Sequence, residues 1–160
     1  MPHVRPAVSG LAAYPVAMSD TVFVGMPLGD ENDPAFKRRC DAVFSAIEGA
    51  CEELGLDACR VDQFAGSIGI TKQIKALIED AEFCVFDLSR DRPNVYYEIG
   101  YAHGIGHTGN SIIFVADKGT RPHFDIAHRA IRFFGDTEQL RAMLSEDLAA
   151  LVSEDGDDDR

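Results

Sequence analysis

The sequence predicts an α/β fold, a five-stranded, mainly parallel sheet between two layers of helices. Three observations carry that expectation. Short runs of β-branched and aromatic residues alternate with longer stretches of three- and four-residue apolar spacing. Those runs show no polar alternation, as strands covered on both faces require. At 160 residues, 46% hydrophobic and 26% charged, the chain suits one domain with its own core. Strands and helices in alternation imply right-handed crossovers and a flavodoxin-like (Rossmann-like) three-layer sandwich.

The elements follow in order. Residues 21–26 (TVFVGM) form the first strand, and Asp33-Pro34 opens a helix, with Asp as N-cap and Pro at the first position. Phe36, Cys40, Val43, Phe44, Ile47, Cys51 and Leu54 then mark one apolar stripe, closed by Gly55 at C′. Residues 57–62 are a weaker second strand. The glycine-containing stretch 64–69 leads to a helix over 70–80, with Ile70, Ile74, Leu77 and Ile78 inward. Residues 82–88 give the third strand, and 94–106 a helix capped by Asn94. Residues 111–116 (SIIFVA) form the fourth strand and 130–134 the fifth, after a long loop containing Arg121-Pro122-His123-Phe124. A final helix spans 137–152, with Leu140, Met143, Leu144, Leu148 and Leu151 at helical spacing. The domain is thus expected over 20–152, after a flexible extension (1–19) and before a disordered acidic tail (153–160). In the extension Arg5 precedes a short apolar patch, but Gly10 and Pro15 break it, which suits a loose segment better than a signal peptide.

Charge and cysteines bound the function. Of the net charge of −12, the tail SEDGDDDR carries −4. The acidic remainder argues against polymeric nucleic acid held on a broad basic face, though a single nucleotide needs only a local pocket. No apolar run approaches the ~20 residues that cross a bilayer, so no membrane partner is expected. Cys40, Cys51, Cys59 and Cys84 show no CxxC pair or zinc spacing; Cys40 and Cys51 lie ~16 Å apart along one helix. Free thiols and a cytoplasmic location are the expectation. His103 and His107 are four apart, but no Glu follows His103 and glycines end the helix, so no metal is expected. Lys37-Arg38-Arg39 reads as a solvated basic face. There is no GxGxxG and no P-loop, and Gly25-Met26-Pro27 stands where a receiver domain carries paired acids.

In a sheet of this order, ligands sit beyond the carboxyl ends of the strands where the order reverses. The loops over 25–33 and 87–94 line that crevice. The chain there reads DLSRDRPNVYYEIGYAHGIG (87–106): a strand ending in Asp87, a charged turn, then a helix start bearing Tyr96, Tyr97 and Glu98. With Asn94 as N-cap, Glu98 ends the first turn, where the helix dipole favours the ionised carboxylate by up to ~1 kcal/mol. Such a carboxylate can attack an anomeric carbon or stabilise an oxocarbenium-like transition state. It is equally a favourable early-helix charge, with the tyrosines as packing. Arg90 and Arg92 can meet phosphates or simply offset Asp87, Asp91 and Glu98.

The block NVYYEIGYAHGIG, with Asp87 upstream and SIIFVAD downstream, resembles the nucleoside 2-deoxyribosyltransferase superfamily and its TIR-like relatives. Glu98-Ile99-Gly100-Tyr101-Ala102 matches the Glu-Leu-Gly-Tyr-Ala helix start. Phe23 to Pro27 and Pro122 to Ile126 are similar as well, so the likeness runs over about 22–134. It implies an enzyme that cleaves or transfers an N-glycosidic bond of a nucleoside or nucleotide, NAD included, without a cofactor. Glu98 is then the nucleophile and Asp87 its catalytic companion. Gly25, Met26, Pro27, Asp91, Asn94, Tyr97 and Tyr101 would bind substrate. A homodimer or larger homo-oligomer is implied too. One departure stands out: Ile74 occupies the position where these transferases carry the aspartate that handles the proton of the departing base. A neutral purine leaving as an anion needs that acid. Nicotinamide, cationic in NAD, leaves neutral and does not. The alternative is a nucleotide-binding sensor without catalysis.

Overall fold

The computed structural model describes residues 20–63, 69–123 and 125–155. Five strands, β1 (Thr21–Gly25), β2 (Asp57–Cys59), β3 (Phe83–Asp87), β4 (Ile112–Asp117) and β5 (Ile131–Phe134), form one sheet in the order β2-β1-β3-β4-β5. Every pairing is parallel. The helices are α1 (Pro34–Glu52), α2 (Ile70–Asp80), α3 (Pro93–Gly104) and α4 (Thr137–Asp155).

The absence of polar alternation in the strands has its reason in two cores. On one face Val22, Val24, Met26, Phe83, Val85, Ile113 and Val115 pack under α1 and α4, where Leu140, Leu144 and Leu148 are wholly buried. On the other, Phe23, Cys84, Phe86, Phe114 and Ala116 meet Ile78 of α2 and Val95, Ile99 and Ala102 of α3. Successive strand residues point to opposite faces, and both faces are covered.

The helix signals act locally as read. The Asp33 carboxylate accepts from the Phe36 amide, and Pro34 opens α1. At its end the Leu56 amide bonds Cys51 O, the Gly55 amide bonds Glu52 O, and Gly55 takes φ +71: a Schellman close with glycine at C′.

Several expectations need correction. β2 stops at Cys59 and gives way to a 3-10 turn over Val61–Gln63. Ile70 is 60% exposed, since it stands in the uncovered first turn of α2. The cap of α3 is Arg92, not Asn94. Pro93 takes the first helical position, where its missing N–H costs nothing, and it holds Arg92 extended before it. α4 continues to Asp155, so the first tail residues are helical; 156–160, the extension 1–19 and Phe124 lie outside the described residues. No helix among the described residues is long and apolar enough to cross a membrane.

Candidate active site

The strand order reverses between β1 and β3, so the crevice opens beyond Gly25 and Asp87. Glu98 enters it from α3. Its residue is 3% exposed, and Oε2, fully buried, has no hydrogen-bond partner among the described residues. A Cβ on Gly25 would lie 2.6 Å from that oxygen and 2.5 Å from the Phe86 ring. Glycine at the end of β1 is therefore what makes room for the carboxyl group. Phe86 stacks on Phe114 and meets Phe23 edge-on, so the surroundings on that side are aromatic. Burial pushes the Glu98 carboxyl up to about 7. This corrects the dipole argument. With Pro93 at the first position Glu98 is in the second turn, beyond the reach of most of the terminal dipole, and desolvation wins.

Asp87 is buried too, but in company. Its Oδ2 accepts from Arg39 Nη1 at 2.7 Å and its Oδ1 from the Ser89 amide at 3.0 Å. Arg39 Nη2 reaches Asp117 at 2.9 Å, and Ser89 Oγ accepts from the Asp117 amide at 2.8 Å. One guanidinium and one hydroxyl thus tie α1 to the carboxyl ends of β3 and β4. With both oxygens engaged, Asp87 holds the crevice wall; a catalytic part for it finds no support in this geometry.

After Ser89 the chain turns through two consecutive left-handed residues, Arg90 (φ 65) and Asp91 (φ 48). Aspartate tolerates that region; arginine there costs on the order of 1–3 kcal/mol and persists only where the surroundings enforce it. The Asp87–Ser89 anchor enforces it from one side. From the other, His123 Nε2 lies 2.9 Å from Asp91 Oδ1, its amide donates to the Tyr96 hydroxyl at 3.2 Å, and its ring meets Tyr96 edge-on. Both guanidiniums of the turn rest on Phe36, Arg90 at 4.7 Å and Arg92 at 5.3 Å from the ring centroid. Pro27, Leu28, Gly29, Arg92 and Asn94 line a pocket of about 190 Å³. Gly29 has φ +86, and a Cβ there would come within 2.7 Å of Lys37 Cα, so only glycine lets the β1–α1 loop lie this close to α1.

Of the expected residues, the fold brings Gly25, Pro27, Asn94 and Glu98 to one edge of the sheet. It takes others away. Met26 is 2% exposed and belongs to the core beneath α1. Tyr97 is half exposed. The Tyr101 hydroxyl donates to Glu79 on α2, and Lys75 lies over its ring, so Tyr101 joins two helices rather than meeting a ligand. Asp91 is engaged by His123. Ile74 packs on the α2–α3 core. His107 places one ring nitrogen at Ser111 Oγ and the other at Ile78 O, a bridge between elements. All four cysteines are free and buried, and burial pushes Cys51, Cys59 and Cys84 up to about 12. Among the described residues no cluster of His, Cys, Asp and Glu could hold a metal ion.

Arg39 and Ser89 were missed by sequence reasoning. Arg39, read as part of a solvated face, immediately precedes Cys40 of the buried stripe; that position at the edge of the stripe is the one signal that could have singled it out.

No protein-family model matches the chain, and no curated protein is similar to it in sequence. Solved structures are similar in fold. The CMP N-glycosidase BcmB of Clostridium botulinum superposes with a TM-score of 0.58 at 15% identity, covering 79% of this chain and 98% of its own. A 2-deoxyribosyltransferase from Leishmania mexicana gives 0.56 at 16% identity, covering 79% and 97%. Over most of its length this chain has the fold of these two proteins.

Proposed function

We propose that the protein cleaves or transfers the N-glycosidic bond of a nucleoside or nucleotide, with Glu98 as the group that meets the anomeric carbon. One observation carries the reading: a carboxyl group buried at the switch point of the sheet, one oxygen unpaired, facing a glycine. A buried unpaired acid is a liability for folding and so calls for a use. The two structural neighbours are named for an N-glycosidase and a deoxyribosyltransferase, which supports the same bond as the target.

In its ionised form Glu98 presents an unsolvated oxygen to C1′. As the bond to the base lengthens, positive charge grows on the sugar, and the carboxylate either stabilises it or closes on it as a glycosyl ester. Water then hydrolyses the ester, or a second base takes the sugar. Aromatic neighbours on that side keep the field strong by keeping the dielectric low. With Ile74 offering no proton, a base that departs neutral from a cationic state, as nicotinamide does from NAD, is favoured over one that departs as an anion.

Incubation with NAD and a panel of nucleosides and nucleotides, beside Glu98→Gln, tests the reading. Free base is expected from the native protein only. Release undiminished in the variant, or none from any substrate in either protein, overturns it. Ile74 favours a second reading, a nucleotide-binding sensor of the TIR-like kind without catalysis; saturable binding with no release would select it. Exposed Ile70, Tyr97 and Ile105 on α2 and α3 support a homo-oligomer, and the four free thiols support a cytoplasmic location. Light scattering on an eluting peak tests the former.

A further inference from the structure

The candidate site sits in an unusual electrostatic setting for so acidic a chain. Arg90 and Arg92 flank its mouth, and neither makes an ion pair among the described residues, whereas Arg39, Arg60, Arg132 and Arg141 all face carboxylates. With 27 acids against 15 bases, leaving two neighbouring guanidiniums without one is conspicuous. Both rest on one aromatic ring, which restricts where their donors can go. Arg92 also lines the pocket with Asn94 and the backbone of Pro27, Leu28 and Gly29, at the start of α3, whose N-terminus receives no side-chain cap. Independently, the buried, unpartnered Glu98 lies one helical turn past Asn94, ~5–6 Å along the same face of α3. A ribose spans that interval between its C1′ and its 5′-phosphate.

We propose that this pocket is a phosphate subsite, so that the substrate class is a 5′-phosphorylated nucleotide rather than a nucleoside. Arg92, supported by Arg90 and the open N-terminus of α3, holds the phosphate while C1′ faces Glu98. The proposal rests on the glycosidic reading for its chemistry but on different residues for its binding. The phosphate also keeps the sugar in register, which matters because Glu98 offers the sugar no neutral hydroxyl partner of its own.

The test has two arms on the full chain. In the first, base release is compared for nucleosides, their 5′-monophosphates and NAD. In the second, calorimetry measures ribose 5-phosphate against ribose with the native protein, Arg92→Gln, Arg90→Gln and Glu98→Gln. A charge-assisted contact of this kind corresponds to ~10–100-fold. The monophosphate or NAD should exceed the nucleoside in kcat/KM by at least that factor, the two substrates distinguishing a monoester from a diphosphate bridge. Ribose 5-phosphate should bind where ribose does not, weaken ~10-fold or more in Arg92→Gln, and remain bound in Glu98→Gln. Equal kcat/KM for nucleoside and nucleotide overturns the subsite and leaves the glycosidic reading standing. Arg92-dependent binding of ribose 5-phosphate without any base release does the reverse. Absence of ribose 5-phosphate binding, or binding unchanged in both arginine variants, overturns the subsite outright.

Discussion

Two buried acids stand at the same edge of this sheet, and they have opposite fates. Asp87, on β3, meets an arginine, a backbone amide and through Ser89 the end of β4. Glu98, on α3, meets a glycine and phenylalanines, and keeps an oxygen to itself. Both are nearly inaccessible. What differs is whether folding brings a partner, and that decides whether a carboxylate becomes a fastener or a reagent. A paired acid has nothing left to give a substrate; an unpaired one is held at an elevated pKa that a substrate bearing positive charge can relieve.

The comparison can be broken most sharply by exchanging each acid for its amide or for alanine. Glu98→Gln is expected to lower base release on the order of 10⁴-fold, as loss of a nucleophile does, while the fold persists; chromatographic quantitation of free base checks it. Asp87→Ala should act on stability instead. It strands part-buried Arg39 and loosens the Ser89 anchor, at a cost of about 3–5 kcal/mol in urea unfolding. If Asp87→Ala proves harmless to stability yet abolishes activity, the division of labour drawn here is wrong.

A third expectation concerns pH. Folding raises the Glu98 carboxyl from 4.5 to about 7 through burial. Between those values the folded protein binds the extra proton, so Glu98 lowers stability as pH rises through that window. By pH 8 its full penalty, on the order of 3 kcal/mol, is present. Glu98→Gln should therefore melt higher than the native protein at pH 8 and show little difference at pH 4. Activity should run the other way, rising as the carboxylate forms near pH 7. The smallest effect is assigned to Gly25→Ala. Its methyl group must displace the Phe86 ring or the Glu98 carboxyl, which costs about 1–3 kcal/mol and impairs turnover more than ligand binding.

Much of this was legible in the chain. Asp33-Pro34, Gly55 and the apolar stripe between them announced α1 because caps and periodicity act within a few residues. Strand order, too, followed from alternation of elements. The start of α3 was misplaced by two residues, since Pro93 and Asn94 both carry start signals and proline's needs no hydrogen bond to be satisfied. That small shift moved Glu98 from the dipole's reach into the second turn. Tyr101 and Met26 were assigned to the crevice because their sequence neighbours lie there. A helix and a strand turn successive side chains to different faces, and these two face α2 and the α1 core.

By itself, then, the sequence determined the elements, their parallel order and the edge of the sheet at which chemistry would gather, since these depend on local propensity and on burial patterns with a fixed period. Only the tertiary structure decided which of the two acids at that edge was spent. Arg39 lies 48 residues before Asp87 and Asp117 78 residues after Arg39. Gly25, 73 residues before Glu98, leaves a space but supplies no donor. Charge pairing is a short-range matter in three dimensions, and no spacing along the chain reports it.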